Sequence, residues 1–291
     1  MKKLITITMV VFVTLILLIG CQKEKEEVKK SVTPSAIDDF FSVEQNFNPP
    51  HPAFRQFSKY VDVFGVKIYA MEDVEDRKLL HAANVLAQYL DNNEDGEVDN
   101  PLVLQAMLDH KAYVIMVKTH NSPDLERFFQ AAPPDWEGQD LYDEETIPNG
   151  AAHGKFDAAL EELLHIVTHA GYAYAYPDVF GEHEGSLVAR ALDQARGGHF
   201  LKVPEKYPEG AWFTYYDETC DYSCQITEYI YWALTSILGA QDFPGRYEYI
   251  KDEWRLNTRE KVKEGDPTIY KLLTDPQYAF PRRLPDGTYR R

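Results

Sequence analysis

The run from Asp157 to Gly171, DAALEELLHIVTHAG, restricts what this chain can fold into more than any other stretch. On a wheel of 100° per residue, Leu160, Leu163, Leu164, Val167 and Gly171 gather on one side, and Glu162, His165 and His169 gather on the other. The run reads as an amphipathic helix that docks through its leucines and turns two imidazoles and a carboxylate away from the core. Asp157 is the expected N-cap and Gly171 the expected left-handed stop. Helical side chains four apart lie about 5–6 Å from each other at Cβ, so His165 and His169 are expected to share one metal ion. On this reading neither histidine belongs to the packing.

The His165-xxx-His169 spacing resembles that of the two zinc-binding histidines in the HExxH helix of zincin-type metallopeptidases, with Ile166 in place of the Glu that follows the first histidine. The resemblance implies zinc, a third protein ligand from elsewhere and hydrolysis of a peptide or protein substrate. Two residues are candidates for that ligand. Glu228 sits opposite the apolar stripe of Ile226, Ile230, Ala233, Leu234 and Ile237, as the third ligand of a gluzincin does on its second helix. His183, in Gly-Glu-His-Glu, is the alternative from a loop. Zinc with three protein ligands and an open position brings its bound water to a pKa of about 7, and a nearby carboxylate then takes the proton. Glu161 and Glu162 are the candidate catalytic bases; were Glu162 a ligand instead, Glu161 or Glu228 would do that work. A tyrosine such as Tyr172, Tyr222 or Tyr229 is placed to assist the oxyanion. Iron, nickel and manganese accept the same His/Glu donors. A carboxylate-bridged di-iron site would need two ExxH motifs, and Glu162-xx-His165 stands alone.

At the N-terminus, Lys2 and Lys3 precede an apolar run from Leu4 to Ile19, and Leu18-Ile19-Gly20-Cys21 resembles the lipobox of bacterial lipoproteins. The resemblance implies that residues 1–20 are a removed signal peptide and that Cys21 is the lipidated N-terminus. The run has 16 residues, against the roughly 20 that cross a bilayer. The protein is therefore expected at the cell envelope. In a Gram-negative host Gln22 favours the outer membrane; in a Gram-positive one the site is the outer face of the cell membrane. Residues 21–52, polar and charged and ending in Asn-Pro-Pro-His-Pro, read as a flexible tether, and 53–291 as one globular domain.

Asp91-Asn-Asn93-Glu-Asp95-Gly96-Glu97-Val-Asp99 resembles the calcium loop of EF-hand and dockerin modules. The resemblance puts side-chain oxygens of Asp91, Asn93, Asp95 and Asp99 at positions 1, 3, 5 and 9, the Glu97 carbonyl at 7 and the sharp-turn Gly96 at 6. Position 12, a bidentate Glu in sensors, is Leu102, so a structural calcium ion of weak affinity is implied. Cys220 and Cys224, the two cysteines left once Cys21 carries lipid, are expected to form a disulfide in an exported protein.

The formal net charge of −17 removes nucleic acid from the partners, since no basic cluster is present to neutralise phosphates, and leaves the N-terminal lipid as the membrane contact. The layout is α+β, mostly helical after a small sheet near the N-terminal side. Strands are expected at 60–70 and 111–118, with helices at 76–90, 186–196, 219–238, 254–264 and 268–274. Two functions fit: a zinc-dependent, peptidase-like hydrolase on a lipid anchor, or a noncatalytic, calcium-stabilised lipoprotein that binds a partner or ligand.

Overall fold

The computed structural model describes residues 40–291. The expected signal peptide, the expected lipidation site Cys21 and residues 21–39 of the expected tether lie outside the described residues. The fold begins before Ala53: Phe41 is buried, and strand β1 (Glu44–Gln45) pairs antiparallel with β2 (Lys59–Val63). The region expected to be a single strand at 60–70 is a hairpin, β2 turning into β3 (Val66–Ala70). Phe64 and Gly65 both take positive φ, 52° and 95°, and the Asp62 carboxylate accepts the Gly65 N–H at 2.8 Å, so the chain reverses where the alternation looked unbroken.

Helix α1 (Asp76–Leu90) has the expected bounds, and α2 (Pro101–Asp109) follows, its N-cap Asn100 accepting the Val103 N–H. Both lead to β4 (Tyr113–Val117), parallel to β3 and buried at all five residues, as its unbroken apolar sequence requires of a central strand. Helix α3 (Pro123–Ala131) returns the chain to β5 (Gly138–Tyr142), parallel to β4 at the sheet edge. The sequence reading places no strand here. Its GQDLY sequence buries only Leu141, so alternation gave no signal. The sheet order β1-β2-β3-β4-β5 completes an α+β arrangement.

Strand alternation sends Val61, Val63, Val66, Ile68, Val114, Met116 and Leu141 to one face of the sheet, where the main core lies. Tyr69, Tyr113, Ile115 and Val117 go to the other, against Phe54, Phe57 and Phe128. On the main side α4 (Ala159–Val167) packs on α1, β5 and β4 and on the later helix α8 (Tyr222–Leu238). Between them come the short α5 (Ala173–Ala175) and α6 (Pro177–Phe180), then α7 (Leu187–Ala195). Helices α9 (Arg246–Ile250), α10 (Arg259–Gly265) and α11 (Pro267–Thr274) finish the helical part; residues 254–258 of the helix expected at 254–264 are not helical. Among the described residues no helix is long and apolar enough to cross a membrane.

Candidate metal centre

Helix α4 has no polar side free of packing. His165 is buried, its ring 5.5 Å from Tyr231 of α8 in an edge-on arrangement. The expectation that this histidine stands away from the core fails because α4 is central: leucines meet α1 and the sheet, and the opposite side meets α8. The N-cap of α4 is Ala158 and not the expected Asp157, which stands one residue earlier and accepts the Ala159 N–H at 3.3 Å. Its other oxygen lies 2.6 Å from His81 Nε2 in a buried pair.

The α-helix stops at Val167 and continues as a π-turn, Thr168–Tyr172. The Thr168 hydroxyl donates back to the carbonyls of Leu164 and His165, at 3.0 and 3.1 Å. A π-turn holds about one residue more than an α-turn, so the 100° wheel no longer applies to His169. Gly171 is part of this turn and not a left-handed stop. A Cβ there would lie 2.6 Å from Val103 Cγ1 of α2, so close approach between the two elements requires glycine.

His165 and His169 consequently serve different neighbours. His169 donates from Nδ1 to Glu182 at 2.6 Å and from Nε2 to Glu137 at 3.0 Å, leaving neither nitrogen for a metal. Burial opposes its charge, but the two carboxylates outweigh that and raise its pKa to about 10. The network runs on through Tyr174, which donates to Glu137, and Thr227 of α8, which donates to Glu182. His183 is exposed, its ring nitrogens facing the carbonyls of Pro177 and Glu184 at 3.1 and 3.0 Å. Neither residue joins the cluster that forms around His165.

That cluster is Glu161, His165 and Glu228, each with a ligand atom within 4.8 Å of the other two. Glu161 and His165 are one helical turn apart, and Glu228 reaches in from α8. His165 Nε2 lies 3.7 Å from Glu228 Oε2 and is a buried nitrogen without a hydrogen-bond partner. A buried polar atom left in that state costs roughly 1–3 kcal/mol, which metal coordination would recover. Glu162 backs the same ring from the other side, 3.4 Å from Nδ1, and is held by Gln139 of β5 at 2.5 Å. A carboxylate on one imidazole nitrogen with the other bare is the arrangement by which proteins orient a metal-binding histidine.

Burial pushes the Glu161 carboxyl above the usual range, repulsion from Glu162 adds to this, and His165 and the Tyr231 hydroxyl oppose it. Burial also raises Glu228, against His165. Glu162 is pushed up to about 8 by burial, with Asp140 and Glu145 adding repulsion. Three carboxyls crowded at low exposure are an incentive to bind a cation. Sequence reasoning missed Tyr215, which donates to Glu228 at 3.2 Å, and Gln139 on the unrecognised strand. It also missed Tyr231, whose position three residues after Glu228 on the same helix was the available signal. The expected tyrosines are occupied elsewhere: Tyr172 donates to the Tyr278 carbonyl, Tyr222 to Asp193 and Tyr229 to Asp266.

In the 91–99 loop Gly96 has φ +89°, and its N–H, with that of Asp95, points at the Asp91 carboxylate, at 2.8 and 3.3 Å. Asn93 accepts the Asp95 N–H and Asp95 the Glu97 N–H, while the Asn93 amide donates to Asp99 at 3.1 Å. The loop also holds the C-terminal segment: Tyr289 donates to Asp91, and the Asn92 side chain receives the N–H groups of Arg282 and Arg283. Leu102 is exposed. A disulfide joins Cys220, just ahead of α8, to Cys224 in its first turn across a Cα separation of 5.3 Å; the N-cap of the helix is Asp221. The chain matches no protein-family model, no curated protein and no solved structure.

Proposed function

We propose that this chain is a metal-dependent, peptidase-like hydrolase, tethered to the bacterial envelope through a lipid on Cys21 and braced by calcium in the loop of Asp91, Asn93, Asp95, Glu97 and Asp99. The observation that carries the reading is the convergence of Glu161, His165 and Glu228 around an unpaired, buried imidazole nitrogen. Zinc is the first candidate; two carboxylates beside one imidazole also suit manganese and iron. The bound ion would supply an acidified water and polarise the substrate carbonyl.

The chain's own residues divide the remaining work. Glu162 stands behind His165 at Nδ1 and is suited to orient the ring, which leaves Glu161 or Glu228 to take the proton from the attacking water. The water oxygen bonds to the carbonyl carbon, the C–N bond breaks, and that proton passes to the leaving amine. Tyr215 steadies Glu228.

Metal analysis of the purified protein, followed by His165→Ala, Glu228→Gln and Glu162→Gln, tests the reading. The first two changes are expected to lose the ion; the third is expected to keep it and slow peptide hydrolysis. A metal-free wild-type protein would refute it. The noncatalytic reading has one observation in its favour: the side chains of His165 and Glu228 are only 8% and 12% exposed, close to a closed coordination sphere. Bound metal without turnover of a broad peptide library would decide for it.

A further inference from the structure

Three cations are buried among the described residues, Lys59, Arg196 and Arg246. Two have partners. Lys59 Nζ meets Asp76 at 2.6 Å and the Val74 carbonyl at 2.6 Å. Arg196 meets Asp193 at 3.0 Å and donates to Gln225. Arg246, 8% exposed, makes one hydrogen bond among the described residues, from Nε to Gln241 Oε1 at 2.7 Å. Among the described residues no carboxylate oxygen comes within 4.0 Å of it, and its two terminal nitrogens donate to no protein acceptor. Its guanidinium is set among rings, Cζ lying 4.3 Å from the Phe156 centroid, 5.6 Å from Trp232 and 5.7 Å from Tyr249. Stacking occupies the faces of the guanidinium and leaves its edge, where the N–H groups point. Glu161 and Glu253 feel its charge from beyond ion-pair distance, and the terminal N–H groups are left free to meet an anion.

The position of this fork ties it to the metal centre. Gln241, which receives Arg246 Nε, donates to the Tyr231 hydroxyl at 3.3 Å, and Tyr231 packs on His165. Phe156 bridges as well, its ring 6.0 Å from Tyr231. The guanidinium is thus two side chains removed from the trio. A single planar fork matches a carboxylate bidentately. With Glu161, Glu228 and Glu253 on neighbouring elements and a net charge of −17, a monoanion is favoured over a phosphate dianion.

We propose that Arg246 binds the C-terminal carboxylate of the substrate, so that the site removes residues from free peptide C-termini. This rests on the hydrolase reading above. The test uses the full-length, metal-loaded protein with N-acetylated dipeptides supplied as free acids and as C-terminal amides. Hydrolysis is followed by the kcat/KM ratio of acid to amide, and binding of the free acid by calorimetry. The acid is expected to be preferred about 10- to 100-fold, the range of one charge-assisted bidentate contact. Arg246→Lys, which keeps the charge and loses the fork, should reduce that preference, and Arg246→Gln should abolish it; the lysine variant serves if the glutamine variant does not fold. Equal turnover of acid and amide by the wild type, or a preference that survives both changes, overturns the assignment. If neither form is hydrolysed but the acid binds and Arg246→Lys weakens it, the hydrolase reading fails and the carboxylate site stands. Absence of both hydrolysis and binding overturns the carboxylate site itself.

Discussion

The separation of His165 from His169 leads to a prediction opposite to the one that their spacing suggests. If the ion lies between Glu161, His165 and Glu228, His165→Ala must abolish metal binding, while His169→Gln, which keeps a hydrogen-bonding group between Glu137 and Glu182, must preserve it. A ligand that binds only the folded state at 100 times its Kd adds about 2.7 kcal/mol of stability. In a domain of this size, 1 kcal/mol moves Tm by about 2–4 °C, so saturating metal should raise the wild-type Tm by about 5–10 °C. The His165→Ala variant should show none of that shift. It should also unfold earlier without metal, by about 2–5 kcal/mol, because it empties a buried site packed on Tyr231. The assay is differential scanning calorimetry of chelated and metal-saturated protein, with the ion counted by mass spectrometry. Equal loss of the metal shift in both variants would refute the reasoning, as would a His165→Ala protein as stable as wild type in chelator.

In metal-free protein, Glu161, Glu162 and Glu228 have folded pKa values above their ordinary 4.5, so the folded state holds protons that the unfolded state has released. Stability should therefore fall as pH rises from about 4.5 to 8, and the metal-induced Tm shift should grow over the same interval as ligands deprotonate; a chelated protein whose Tm is flat from pH 5 to 8 would exclude this. His169 has the opposite sign of effect: its raised pKa contributes stability that is complete below about 6.5 and lost as pH passes through about 10, so the wild-type advantage over His169→Gln should vanish above that pH in chemical denaturation. Millimolar calcium should raise Tm, and Asp95→Ala should remove that increment; a wild-type melting curve indifferent to calcium would dismiss the loop as a site. Changing Cys21→Ser should release the protein from membranes and abolish fatty-acid labelling, and unchanged membrane fractionation without label would indicate another anchor.

Local sequence was enough wherever one residue and its near neighbours decide the outcome. The bounds of α1, the buried strand β4, the glycine turn at Gly96 and the Cys220–Cys224 bridge are all short-range matters of propensity, turn geometry and reach. The same local logic singled out α4 and Glu228 as candidates, and the structure brings Glu161, His165 and Glu228 within reach of one another. That logic failed where backbone geometry responds to packing. A helical wheel assumes uniform pitch, and the π-turn at Thr168, set where Gly171 meets Val103, moves His169 from the metal centre to a pair of carboxylates. Alternation likewise could not separate a strand from a hairpin at Phe64, nor find β5, whose partners lie a helix away in sequence. Side-chain type and helical phase are local, so the sequence by itself could nominate Glu161, His165 and Glu228 as candidates. Tertiary structure alone decided which of them meet. Glu161 rather than His169 stands with His165 and Glu228, and Arg246 lies beyond Tyr231, because those distances depend on how α4, α8 and α9 pack.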